Sequence, residues 1–93
     1  MNEMTQEMPK DMVKIGKVTH YFTKIGVAVL ELSDTLAVGD EIILRGQTTN
    51  FSQTVDSMEI NKVKVDKAGK GQSIGLKVRE RVRQGDDVYK VVK

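Results

Sequence analysis

The chain has no cysteine and no tryptophan, and only one proline, one histidine, two phenylalanines and two tyrosines. Each shortage excludes something. Without cysteine there is no disulfide to staple the fold and no thiolate for nucleophilic attack or metal ligation; such a composition suits a reducing compartment. With His20 the single histidine, a metal centre would need carboxylates grouped at ligand spacing, and the acids are scattered. A serine hydrolase needs His20 beside an exposed nucleophile, yet none of Ser33, Ser52, Ser57 and Ser73 stands in a G-x-S-x-G elbow. No G-x-x-x-x-G-K-S/T phosphate loop is present. The reading is therefore no catalytic residues, no metal, no cofactor and no nucleotide binding: a chain that is not an enzyme. No apolar run approaches the ~18 residues of a membrane span. The opening MNEMTQEMPKDM lacks the basic start and apolar stretch of a secretory signal, so the expected location is cytoplasmic, away from any membrane.

What is present is a short chain of uneven charge. Its 93 residues are enough for one domain with a modest core and little room for a deep cleft. Residues 1–60 hold five Lys/Arg against nine Asp/Glu, a net −4, and residues 61–93 hold ten against four, a net +6. An asymmetry of this kind marks either a polyanion-facing surface or an ordinary solvated mixture.

Residues 1–11 lack periodicity and contain Pro9, which predicts a disordered tail ahead of a single domain over 12–93. The remainder reads as short β-branched runs punctuated by Gly and Asp. The runs are Val13 to Phe22, with Gly16 suggesting a bulge or bend; Ile25 to Leu32, apolar on both faces until Glu31; and Glu41 to Arg45. A polar loop, QTTNFSQ, interrupted by Phe51, leads to a fourth run from Thr54 to about Val65. Then come Ser73 to Arg79, in which Ile74, Leu76 and Val78 share one face, and Val88 to Val92. Six short strands at these spacings, with no helical periodicity, predict an all-β sandwich or closed barrel. Paired acids such as Asp40-Glu41 and Asp86-Asp87 fall at turns, where solvation accounts for them.

Several segments carry a family resemblance. Leu36 to Ile42 (LAVGDEI) is similar to the I-x-x-G-D/E-x-V turn of the second, β-barrel domain of translational GTPases such as elongation factor Tu. Val55 to Ile60 (VDSMEI) resembles a V-x-S-I-E-M strand of the same domain, Ala68 to Val78 (AGKGQSIGLKV) its A-x-x-G-D-x-V-G strand, and Val82 to Asp86 (VRQGD) its closing turn. The chain also resembles small stand-alone elongation-factor-like proteins and the barrel appended to collagenase-like peptidase family proteins. The resemblance implies a closed six-stranded Greek-key barrel in which Gly39 and Gly75 occupy turn or bulge positions that resist a side chain. It also places Glu59 where the family carries a Glu near the terminal adenosine of aminoacyl-tRNA. GTP hydrolysis is not implied: Asn61-Lys62-Val63-Lys64 lacks the final Asp of the guanine-reading N-K-x-D and reads as a strand end.

Two functions fit. The first is a non-catalytic, translation-associated module docking on RNA, the ribosome or a translation factor through Lys62, Lys64, Lys67, Lys70, Arg79, Arg81 and Arg83, with Glu59 beside them; each basic residue has ordinary solvated surface as its alternative. The scarcity of aromatics argues against single-strand stacking. The second is a protein-interaction module or accessory subunit of a peptidase-like enzyme, with no nucleic acid. Phe51, either a barrel plug or an exposed docking residue, and the doubly apolar run Ile25 to Leu32 favour it.

Overall fold

The computed structural model describes residues 11–92. The expected disordered tail thus lies outside the described residues except for Asp11, whose carbonyl accepts a hydrogen bond from Val92 N at 2.6 Å.

The described residues are all-β, with no helix among them and hence none long and apolar enough to cross a membrane. In chain order the strands are β1 (Met12–Phe22), β2 (Val27–Leu32), β3 (Leu36–Ala37), β4 (Glu41–Arg45), β5 (Asn50–Thr54), β6 (Met58–Ile60), β7 (Val63–Val65), β8 (Lys67–Ala68), β9 (Ser73–Lys77) and β10 (Asp87–Val91). Eight of them form one antiparallel sheet in the order β5-β4-β10-β1-β2-β9-β6-β7, and β3 pairs with β8 as a separate ribbon.

The inward set follows the period of two. Ala28, Leu30 and Leu32 of β2, Ile42 and Leu44 of β4, and Ile74 and Leu76 of β9 are buried. They pack with Ile15, Val18, Leu36, Met58, Val82 and Val88 into one core. The outer face of β2 is partly covered, with Val27 and Val29 half-buried, but Ile25 lies in the turn before the strand and is exposed. The bulge suggested by Gly16 is present: the β1–β10 register shifts between Lys14 and Gly16. Glycine is required there, because a Cβ would lie 2.7 Å from the Glu31 carbonyl oxygen.

The closed six-stranded barrel is corrected on three counts. The segment 50–53, read as loop, belongs to β5, which ends at Thr54. The run from Thr54 to Val65 is not one strand but the hairpin β6–β7, reversed at Asn61 and Lys62, both at positive φ (51° and 68°). And β5 and β7 end the sheet with no ladder between them. Gly39 does occupy a turn at φ +98°, whereas Gly75 has no positive φ, and a Cβ there would meet Val27 Cγ1 at an ordinary 3.5 Å.

Candidate interaction groove

The open end of the sheet at β5 is where the geometry becomes specific. In an antiparallel pair, alternate residues turn their N–H and C=O toward the partner. Gly46 N bonds Thr49 O at 2.8 Å and Val55 N bonds Asp40 O at 2.9 Å, bracketing an unshifted β4–β5 register. Residues 49, 51, 53 and 55 therefore face β4, and Asn50, Ser52 and Thr54 turn their main-chain groups to the free edge. The side chains alternate too: Phe51 and Val55 are buried, Gln53 is half-buried between them, and Ser52 and Thr54 are exposed.

The same reasoning applies to β9. Leu32 N bonds Gln72 O and Val78 N bonds Gly26 O, so even-numbered residues face β2 and Lys77 and Arg79 turn their main-chain groups away. Toward that side β6 pairs with β9 only at Glu59 and Gly75. Past Gly75 the edge of β9 is taken up by the side chain of Gln53. Its Nε2 donates to Lys77 O at 2.9 Å, and its Oε1 accepts from Arg79 N at 2.7 Å. A primary amide presents an N–H donor and a C=O acceptor at peptide-like spacing, so Gln53 stands in for a neighbouring strand. A glutamine side chain plus one hydrogen bond bridges roughly 8 Å of backbone separation, against about 4.8 Å for directly paired strands.

Beside this bridge lies a groove of about 580 Å³, lined by Ser52, Gln53, Thr54, Asp56, Ser57, Lys77, Val78 and Arg79. Its lining includes three hydroxyls, two cations and one carboxylate. The guanidinium of Arg79 lies 5.9 Å from the centre of the Phe51 ring, within cation–π reach, and 3.5 Å from Glu80. Phe51 itself is 8% exposed: it supports Arg79 from below and is no exposed docking residue.

The basic residues do not gather into one stripe. Because Glu59 pairs with Gly75 antiparallel, the Asn61–Lys62 turn lies at the Ser73 end of β9, while Arg79 follows its other end. The separation along β9 is about 20 Å at ~3.3 Å per residue. Lys62 and Lys64 do not share a strand face, since Lys62 is in the turn and Lys64 is on β7, opposite Glu59 on β6. Lys67 is on β8, opposite Ala37, and Lys70 is exposed in the following turn. Arg81 is exposed on the irregular segment after β9. Arg83 is held in place, its Nε donating to Thr48 Oγ1 at 2.8 Å.

The acids at turns are not all solvated. Asp86 is 5% exposed, and its Oδ2 accepts from Arg83 N at 2.8 Å. Asp40 Oδ2 accepts from Ala37 N at 2.9 Å and lies 3.9 Å from Lys90 Nζ. His20 sits on β1 with its ring 4.4 Å from that of Phe22, edge to face. Among the described residues no three His, Cys, Asp or Glu are grouped to hold a metal ion.

Of the groove residues, sequence reasoning singled out Arg79 and, beneath it, Phe51, but not Gln53, Lys77, Ser52 or Thr54 in this role. The available signal was the alternation Phe51, Gln53, Val55 against Ser52, Thr54, which has the strand period of two.

Fold and groove together define an all-β module with an open sheet end and a polar groove beside it. An uncharacterized protease of Methanocaldococcus jannaschii is 41% identical over 78 residues, which is 83% of this chain and 19% of the relative. A collagenase of Porphyromonas gingivalis is 39% identical over 83 residues, 87% of this chain and 20% of that protein. The chain thus spans about a fifth of the length of the curated relatives it matches. The C-terminal domain of a putative U32 peptidase from Geobacillus thermoleovorans shares the fold. Its TM-score is 0.78 at 23% identity, with 82% of this chain and 89% of that one covered; the selenomethionine variant of that domain gives 0.77. No family model matches the chain.

These findings overturn the translation and elongation-factor reading. The homologues carry protease and collagenase names. Two of the four segments that carried the resemblance are turns: Gly39 at φ +98° and Gly85 at φ +96° each serve a tight turn that many all-β domains need.

Proposed function

We propose that this chain is a non-catalytic accessory module of a peptidase-like protein and that it engages polypeptide. The observation that carries the reading is the match itself, at 41% and 39% identity, to a segment comprising about a fifth of proteins named as a protease and a collagenase. A segment of that size leaves most of each relative to hold the chemistry. The local chemistry agrees: the polar groups that converge at the groove are main-chain groups, hydroxyls, two cations and one carboxylate, a set suited to binding.

The test uses the Porphyromonas gingivalis collagenase, with the matched segment deleted or replaced by this chain. Hydrolysis of a short chromogenic peptide and of denatured collagen is measured for each. An accessory module predicts that deletion spares the short peptide, depresses cleavage of the long polypeptide, and is repaired by the replacement. Unchanged rates on both substrates, equal loss of both, or turnover by this chain alone would overturn the reading.

A further inference from the structure

We infer that the gap between β5 and the end of β9 is a slot for one extended peptide, which adds to the free edge of β5 and places a carboxylate side chain against Lys77 and Arg79. The inference rests on the accessory-module reading and names the site and the kind of polypeptide segment that reading requires.

Three observations lead to it. First, Asn50, Ser52 and Thr54 turn an unshifted row of main-chain donors and acceptors to an edge that no strand among the described residues covers. Such an edge is the template for strand addition, in which main-chain hydrogen bonds supply affinity and side chains supply selectivity. Second, the far wall already binds an amide. Lys77 O and Arg79 N are engaged by Gln53 as they would be by a peptide group, across a backbone gap of roughly 8 Å, wider than one strand spacing of about 4.8 Å and short of two. An incoming strand has the chemistry to take over those two bonds, with Gln53 swinging out and β5 parting from β9 by roughly a further one to two ångströms as it enters. Third, the charge is asymmetric. Lys77 and Arg79 flank the slot on the β9 side, and Asp56 is the one carboxylate in its lining. The Arg79 guanidinium is held over Phe51 and pairs with the Glu80 carboxylate at 3.5 Å, in a pair more than half exposed. An exposed pair of that kind contributes little and exchanges readily for a carboxylate bound at the slot.

The exposed apolar residues Phe22 and Ile25 lie toward the same end of the molecule, since the Gly26 carbonyl beside them accepts from Val78 N. They supply contact area for residues flanking the inserted segment.

The experiment is a fluorescence-anisotropy titration of the full chain with a fluorescein-labelled nonapeptide of alternating Thr and Val with one central Glu. Strand addition predicts saturable binding that weakens roughly tenfold or more when the central amides are N-methylated, because the main-chain bonds are lost. Gln53→Ala removes the resident amide and binds the peptide more tightly. Arg79→Glu weakens the Glu peptide and favours the same peptide with Lys in place of Glu, a swap that needs only a folded protein and is checked by thermal melting. Equal binding of methylated and unmethylated peptide, no charge swap, or no binding at all would overturn the slot. So would preferential capture of a single-stranded RNA with steep salt dependence. If the slot fails while the collagenase replacement still restores polypeptide cleavage, the accessory-module reading stands and the contact lies elsewhere. If the replacement fails, that reading falls whatever the peptide does.

Discussion

The buried carboxylate of Asp86 fills the space in which a side chain on Gly46 would begin. The two residues belong to separate turns, joined because Asp86 reaches inward to accept from Arg83 N while Asp86 O accepts from Val18 N at 2.8 Å. Gly46→Ala must push Asp86 off these bonds or distort its own turn. The expected loss is about 2–3 kcal/mol, overpacking plus a disturbed buried hydrogen bond. Gly75→Ala is the control: its Cβ meets Val27 at ordinary contact distance and φ is not positive, so the change stays within about 0.5 kcal/mol. Urea midpoints of the two variants measure the difference, and equal midpoints would contradict it.

The β6–β7 turn carries an avoidable strain. Both Asn61 and Lys62 have positive φ, as a two-residue type I′ hairpin demands. Asn tolerates that region through local hydrogen bonding, whereas Lys does not. Lys62→Gly is expected to stabilise the domain by about 1 kcal/mol. Thermal unfolding reads this directly, and a lower melting temperature would show that Lys62 makes a compensating contact.

That turn also marks where the sequence stops being legible. The alternation of Ile74, Leu76 and Val78, the bulge at Gly16 and the turn at Gly39 were all readable, because each is decided within a few residues by period or by glycine. The reversal at Asn61-Lys62 was not, for it lacks the glycine that usually announces such a turn. β5 was hidden for another reason. Its inward positions include Gln53, a polar residue tolerated there because its partners come from 24 and 26 residues away. No local pattern encodes such partners, and so the groove could not be read. Phe51 was visible as an oddity in a polar stretch, but whether it faced the core depended on a strand not yet recognised.

Gln53 should be worth more to the fold than its half-exposed position suggests. Its two hydrogen bonds are what hold β5 to the end of β9, where no ladder does. Gln53→Ala is expected to lower stability by about 1–2 kcal/mol, two bonds of modest net value. Hydrogen exchange locates the effect: the Arg79 amide should lose protection, while that of Val78, bonded to Gly26, should keep it. Unchanged protection at Arg79 would mean that Gln53 does not hold the edge.

The Phe51–Arg79 pair separates packing from charge. Phe51 is 8% exposed, belongs to the core cluster and lies below the Arg79 guanidinium. Phe51→Ala removes a buried ring next to an open sheet end and is expected to cost about 3 kcal/mol. Arg79→Ala removes only an exposed cation–π contact and an exposed ion pair, and should cost less than about 1 kcal/mol. Phe51→Leu keeps most of the buried volume but gives up the ring face. It should therefore lie between them, and the further loss on adding Arg79→Ala to it should be smaller than in the wild type by about 0.5 kcal/mol. A double-mutant cycle on thermal stability measures that coupling. If the two substitutions are strictly additive, the guanidinium gains nothing from the ring, and Phe51 matters here only as core.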